Sequence, residues 1–138
     1  MDMKKHVRII YCLDGYDSVE IPIHSTDELV ARLQEIAVEA IPVIDGIFSA
    51  DVVVEDFGRI SVGLNQRCIL TYTSEDFEET LTSLGDETSQ GDTVYYFGDY
   101  TSMSNKYIIP YDCAIEALKI FVTTGRLSEN INWTDKLF

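Results

Sequence analysis

The sequence predicts an α+β fold: a largely antiparallel β-sheet of about five to seven strands with two main helices packed on it. Three observations carry this reading. Between residues 52 and 72 apolar and polar residues alternate with the period of two expected of half-buried strands. Near residues 25–40 and 111–124 the apolar residues instead follow the three-and-four spacing of a helix stripe. The strand-like runs also succeed one another through short turns, which reads as an antiparallel meander with one wet face.

Taken in order, VRIIYCL and VEIPI flank the turn-forming cluster DGYDS and read as a hairpin. Val19, Ile21 and Ile23 alternate with Glu20, Pro22 and His24, giving one buried face. Pro22 cannot donate to a ladder, so this strand belongs at a sheet edge or its end. A helix follows over about 25–40. Ser25 caps it, Glu28 completes a capping box, and Leu29, Leu33, Ile36, Ala37 and Ala40 form the stripe, with Pro42 as the stop. Strands are expected at Val52–Val54, Ile60–Leu64 and Cys68–Tyr72, joined by the turns EDFGR and NQ. The acidic stretch after them reads as loop; TVYYFG and KYIIP read as two more strands. The second helix, 111–124, has Pro110 in its first turn and Gly125 just past its end. Its buried side is Ala114, Ala117, Leu118 and Phe121, its exposed side Asp112, Glu116, Lys119 and Thr123. ENINW closes the chain as a final strand. The 138 residues are read as one domain, 1–138.

Charge narrows the function classes. The chain carries a net charge of −14 with 24 acidic against 10 basic residues. Nucleic acid needs Lys and Arg to displace its counterions, and anionic membranes attract polybasic segments, so neither is an expected partner. A cationic partner is. The start, MDMKKHVRIIYCLDGYD, has an apolar run that stops at Asp14 and no small-residue cleavage site, so no signal peptide is read. Cys12, Cys68 and Cys113 are odd in number, far apart and set among apolar residues, which reads as buried free thiols. A cytoplasmic protein is expected.

No catalytic motif is found: no nucleophile elbow, phosphate loop, zinc-binding HExxH, CxxC or deaminase signature. His6 lies in the N-terminal segment and His24 just before a helix cap, where a solvent-facing role outweighs catalysis. Asp14, Asp17 and Glu20, and likewise Asp86, Glu87 and Asp92, lack the regular spacing of a calcium loop. No catalytic residue, metal or cofactor is expected. What remains is the stretch Ser74–Asp92, with seven acids inside a segment, Cys68–Asn105, that contains no Lys or Arg. Glu75, Asp76, Glu78, Glu79, Asp86, Glu87 and Asp92, with Phe77 as an apolar anchor, are therefore the candidate partner-binding residues. Leu81, Leu84, Tyr95 and Tyr96 are close by as further anchors.

The order GDTVYYFGDY…NKYIIPYDCAIEALKIFVTTGRLSENINW resembles the first-numbered immunity-protein family of bacterial polymorphic toxin systems. The matching elements are Tyr96–Gly98, Ile108–Pro110, the helix Ala114–Phe121, Thr124–Gly125 and a closing strand with Trp133. Upstream, RISVGLNQRCILTY and LTSLGDE follow the same course, so the pattern covers about residues 50–133. The resemblance implies a cytoplasmic, non-enzymatic antidote that binds a cognate protein toxin with a basic surface, often a nucleic-acid deaminase, and occludes its active-site cleft. Two other readings stay open: a small-molecule or calcium-binding accessory module, and an enzyme with an unrecognised site.

Overall fold

The computed structural model describes residues 6–13, 16–43, 47–63, 67–96 and 100–135. Asp14 and Gly15 of the first turn, Leu64 and Gly98 lie outside the described residues.

Local chemistry starts both helices where the sequence places them. The first, α1 (Thr26–Ala40), is capped by Ser25, whose Oγ accepts the Glu28 amide at 3.0 Å. The Glu28 carboxylate reaches back to the His24 amide at 2.7 Å, one residue before the cap itself. Leu29, Leu33, Ile36 and Ala40 are buried. The second, α2 (Tyr111–Thr124), ends at Gly125 in the left-handed conformation (φ 75°), its amide bonded to the Phe121 carbonyl. Pro110 stands at the cap position rather than inside the first turn.

Among the described residues nine of the strands form one sheet, more than the five to seven expected. Its main path runs β11 (Asn132–Thr134), β7 (Thr80–Leu84), β6 (Leu70–Ser74), β4 (Gly58–Gly63), β3 (Ile47–Val54), β1 (Val7–Tyr11), β2 (Val19–Ile23). Neighbours on this path are antiparallel, and β2, with Pro22, is the edge. The hairpin β8 (Asp92–Tyr96) and β9 (Tyr100–Ser104) joins through a short parallel pairing of β8 with β3, Ile47 opposite Tyr95. Two-residue strands β5 (Arg67–Cys68) and β10 (Ile109–Pro110) pair separately.

Two strands arise where the sequence suggested otherwise. The acidic loop contains β7, which lies between β6 and β11. Its interior positions Thr82 and Ser83 are buried but polar, so no apolar alternation announces it. The Ser83 hydroxyl accepts the Leu70 amide and donates to the Tyr107 carbonyl, which meets the demand that buried polar groups be paired. KYIIP is a strand only at its end: Asn105–Tyr107 is a 3₁₀ turn, Ile109–Pro110 is β10, and the longer strand is the preceding YTSMS, where only Met103 is buried. Strand β2 likewise buries only Ile23 fully, with Val19 exposed.

The helices cover one sheet face. Phe48, Ala50, Val52 and Val54 of β3 join Ile60, Leu33 and Phe121 in the main core. The alternate residue Ile47 joins a smaller cluster with Ile69, Tyr95, Met103 and Tyr107. The remaining alternate positions form cross-strand rows: Arg8, Val53, Arg59 and Thr73, and beside them Ile10, Asp51, Ser61 and Thr71. The β3–β4 and β6–β7 turns close neighbouring hairpins at one end of this sheet; the β7–β8 connection lies at the other.

Candidate functional site

The β6–β7 turn is built by its own side chains. The Ser74 amide donates to the Glu79 carbonyl and the Phe77 amide to the Ser74 carbonyl, both at 2.9 Å. The Ser74 hydroxyl donates to Asp76 Oδ1 at 2.7 Å, and the Glu78 amide donates to the same oxygen at 3.0 Å. These two bonds, the hydroxyl first, hold the Asp76 carboxyl below its ordinary range. Phe77 adopts the left-handed conformation (φ 62°), uncommon for a bulky residue, and its side chain is 70% exposed. Glu75, Asp76, Glu78 and Glu79 surround it, all exposed.

The adjacent β3–β4 turn repeats the first three residues of this one. Gly58 faces Ser74 across the ladder, so the two turns are neighbours. Glu55, Asp56 and Phe57 recur as Glu75, Asp76 and Phe77, but the left-handed residue is Asp56 (φ 72°) in the first turn and Phe77 in the second. The close approach requires Gly58: a Cβ there would come within 2.3 Å of the Thr73 carbonyl oxygen. The two phenylalanines differ in use. Phe57 lies against Gly125 at the end of α2, where an added Cβ would meet its ring at 2.3 Å, and its carbonyl accepts the Tyr72 hydroxyl at 3.0 Å. Burial first, then the charges of Glu79 and Asp76, raise the Tyr72 hydroxyl pKa. Phe77 projects from the surface with the Arg59 guanidinium 6.0 Å from its ring centre. Between the turns lies a pocket of about 300 Å³ floored by Val53 and walled by Phe77, Arg59, Arg8, Glu55 and Glu75.

The other predicted acids stand apart. Strand β7 spans roughly 13 Å at about 3.3 Å per residue, so Asp86, Glu87 and Asp92 sit at the opposite end of the sheet from Glu75–Glu79. Asp86 closes an Asx turn: its Oδ1 accepts the Thr88 amide at 2.9 Å and the Thr88 hydroxyl at 2.5 Å, which lowers its carboxyl pKa. The Asn105 amide donates to the Gly91 carbonyl and its side chain to the Gln90 carbonyl, tying the loop to the 3₁₀ turn. The apolar anchors divide as well. Tyr95 and Tyr96 are buried and Leu84 packs on the smaller cluster, so they are core rather than surface.

The cysteines are not uniformly buried. Cys68 is, Cys12 is half-buried, and Cys113 is exposed because Ala114, its neighbour on α2, takes the inward position. His24 is exposed, and His6 lies 3.6 Å from Glu55. Among the described residues no group of three or more His, Cys, Asp and Glu is placed to hold a metal ion. Glu55, Asp56 and Phe57 were missing from the sequence reading of the site; the recurrence of the tripeptide EDF was the available signal. Chemically, the turn pair presents carboxylates around one exposed ring, the makings of a contact surface for a cationic partner.

A family model described as Immunity protein Imm1 matches residues 17–135, a span that includes both turns. The comparison with curated proteins returned no match.

Proposed function

The chain belongs to the Imm1 family of immunity proteins, and on that premise we propose that it acts in the cytoplasm by binding a cognate bacterial toxin and occluding its active-site cleft, without catalysis of its own. The toxin in this reading is a nucleic-acid-targeting domain of the deaminase type. A cleft that accepts phosphates, which line a duplex at about one per 1.7 Å, must be basic, and clustered carboxylates are drawn to the same cleft.

The observation that carries the reading is the β6–β7 turn: Glu75, Asp76, Glu78 and Glu79 around a Phe77 that is 70% exposed. Charge alone speeds encounter, to about 10⁸–10⁹ M⁻¹s⁻¹ at low salt, but holds little. A desolvated aromatic anchor supplies residence time. The turn offers both within five residues, Glu75–Glu79. The net charge of −14 adds to the steering and opposes self-association.

The test reads the gene immediately upstream: the reading expects it to encode a secreted protein ending in a toxin domain, and that domain is co-expressed in bacteria with this chain. Growth is expected to be lost with the toxin domain alone and restored with this chain. Restoration should fail when Glu75, Asp76, Glu78 and Glu79 are reversed to Lys and Phe77 is changed to Ala. Growth arrest unaffected by the wild-type chain, at equal expression, contradicts the reading.

A further inference from the structure

The pocket between the two turns has a shape and charge that point to a specific occupant. At about 300 Å³ it falls at the bottom of the roughly 300–1,000 Å³ range of small-molecule sites, and suits one long side chain better than a whole ligand. Its floor is the apolar Val53 and one wall is the Phe77 ring, surfaces against which a methylene stem packs. Glu55 and Glu75 stand at its sides, one from each turn.

The pocket's own cations each face a carboxylate outside it, although the buried Arg8 Nε makes no hydrogen bond there. Arg8 Nε lies 2.8 Å from a Glu20 oxygen, and Arg59 NH1 lies 3.3 Å from Asp51, whose other oxygen accepts the Ser61 hydroxyl. Neither Glu20 nor Asp51 lines the pocket. By contrast, among the described residues Glu75 makes no ion pair and Glu55 pairs only with His6. Asp56, Asp76, Glu78 and Glu79 on the same two turns add to the negative field, which disfavours an anion there.

We propose that this pocket is a receptor for one basic side chain of the partner, an arginine in preference to a lysine. A planar guanidinium can pair with a carboxylate in two-point fashion while lying against the Phe77 ring, whereas an ammonium offers only a point charge. The proposal deepens the toxin reading and rests on it for the identity of the partner.

The experiment needs no toxin. The amide shifts of the isotope-labelled protein are followed by NMR during titration with N-acetyl-arginine methylamide, and separately with the citrulline analogue, which has nearly the same shape and no charge. Arginine is expected to give saturable shifts at Val53, Gly58, Glu75 and Phe77, with citrulline weaker by about tenfold or more. The Glu55→Gln/Glu75→Gln variant, checked for an unchanged thermal midpoint, should reduce arginine to the citrulline level. The amides around Asp86, Glu87 and Asp92 serve as an internal control for diffuse attraction. Equal shifts at that second acidic turn, equal responses to citrulline, or no saturable shift up to the solubility of the probe would each overturn the proposal. Any of these leaves neutralisation of the toxin untouched, and a failed growth rescue leaves the pocket's selectivity standing.

Discussion

The two acidic turns at the ends of β7 carry similar charge and use it differently. In the β7–β8 connection, Asp86 is spent on Thr88, and the loop is tied through Gln90 and Gly91 to Asn105 of the 3₁₀ turn. Gly85 there donates its amide to the Lys106 carbonyl. In the β6–β7 turn, Asp76 also braces the backbone, but the bracing holds Phe77 outward in a left-handed conformation among exposed carboxylates. Acidic composition is common to both; an exposed ring beside a pocket belongs to one. That difference, rather than charge, separates a surface that closes a loop from the one proposed to meet a partner.

The comparison breaks most sharply at Gly85. A Cβ there would lie 1.9 Å from the Ile108 carbonyl oxygen, backbone that cannot step aside. Gly85→Ala should cost at least the upper end of the roughly 1–3 kcal/mol typical of overpacking, read as a large drop in denaturant midpoint. An equivalent cost at the β6–β7 turn would erase the distinction between them.

Phe77 should behave in the opposite sense. Phe77→Gly relieves a left-handed residue of about 1–2 kcal/mol and forfeits an exposed cation–π contact of about 0.5–1 kcal/mol with Arg59. Stability should therefore stay within about 1 kcal/mol of wild type, while dissociation from the toxin speeds by about tenfold or more, as expected for loss of an anchor. Calorimetry and surface-plasmon dissociation rates measure the two separately. A destabilised variant with unchanged dissociation would make Phe77 a structural residue.

The smallest effect is on acid stability. Hydrogen bonds to the charged form depress the Asp76 carboxyl below the ordinary 3.8, so the folded state favours the carboxylate. Its contribution is complete above that ordinary value and is lost as pH falls below it through the folded value. Asp76→Asn keeps an acceptor in the turn but removes the charge, so wild type should lose its advantage over the variant as pH falls below 3.8. A wild-type advantage growing in that range would reverse the sign and remove the bracing role of the charged carboxylate.

How much of this could be read from residues alone follows from where the information lies. Both helices were legible almost to the residue, because Ser25, Glu28 and Gly125 are local stop and start signals beside clear apolar stripes. Strand β7 was not, because its buried positions hold Thr82 and Ser83, whose burial depends on hydrogen bonds to residues distant in sequence. Cys113, Tyr95 and Tyr96 show the same limit: an apolar neighbourhood does not say which side of an element a residue takes. The charge of Glu75–Glu79 was visible, but its separation from Asp86, Glu87 and Asp92 and its pairing with Glu55–Phe57 follow from strand register, which is non-local.

The most direct test of the central claim is stopped-flow association of the toxin domain with wild type, with a variant reversing Glu75, Asp76, Glu78 and Glu79 to Lys, and with one reversing Asp86, Glu87 and Asp92. Each is measured at low salt and above physiological strength, where the screening length falls below about 8 Å. The account predicts a wild-type rate that falls steeply with salt, a first variant slowed by about tenfold or more at low salt with a weak salt dependence, and a second variant much closer to wild type. Identical rates for wild type and the first variant, or a larger loss in the second, would contradict it.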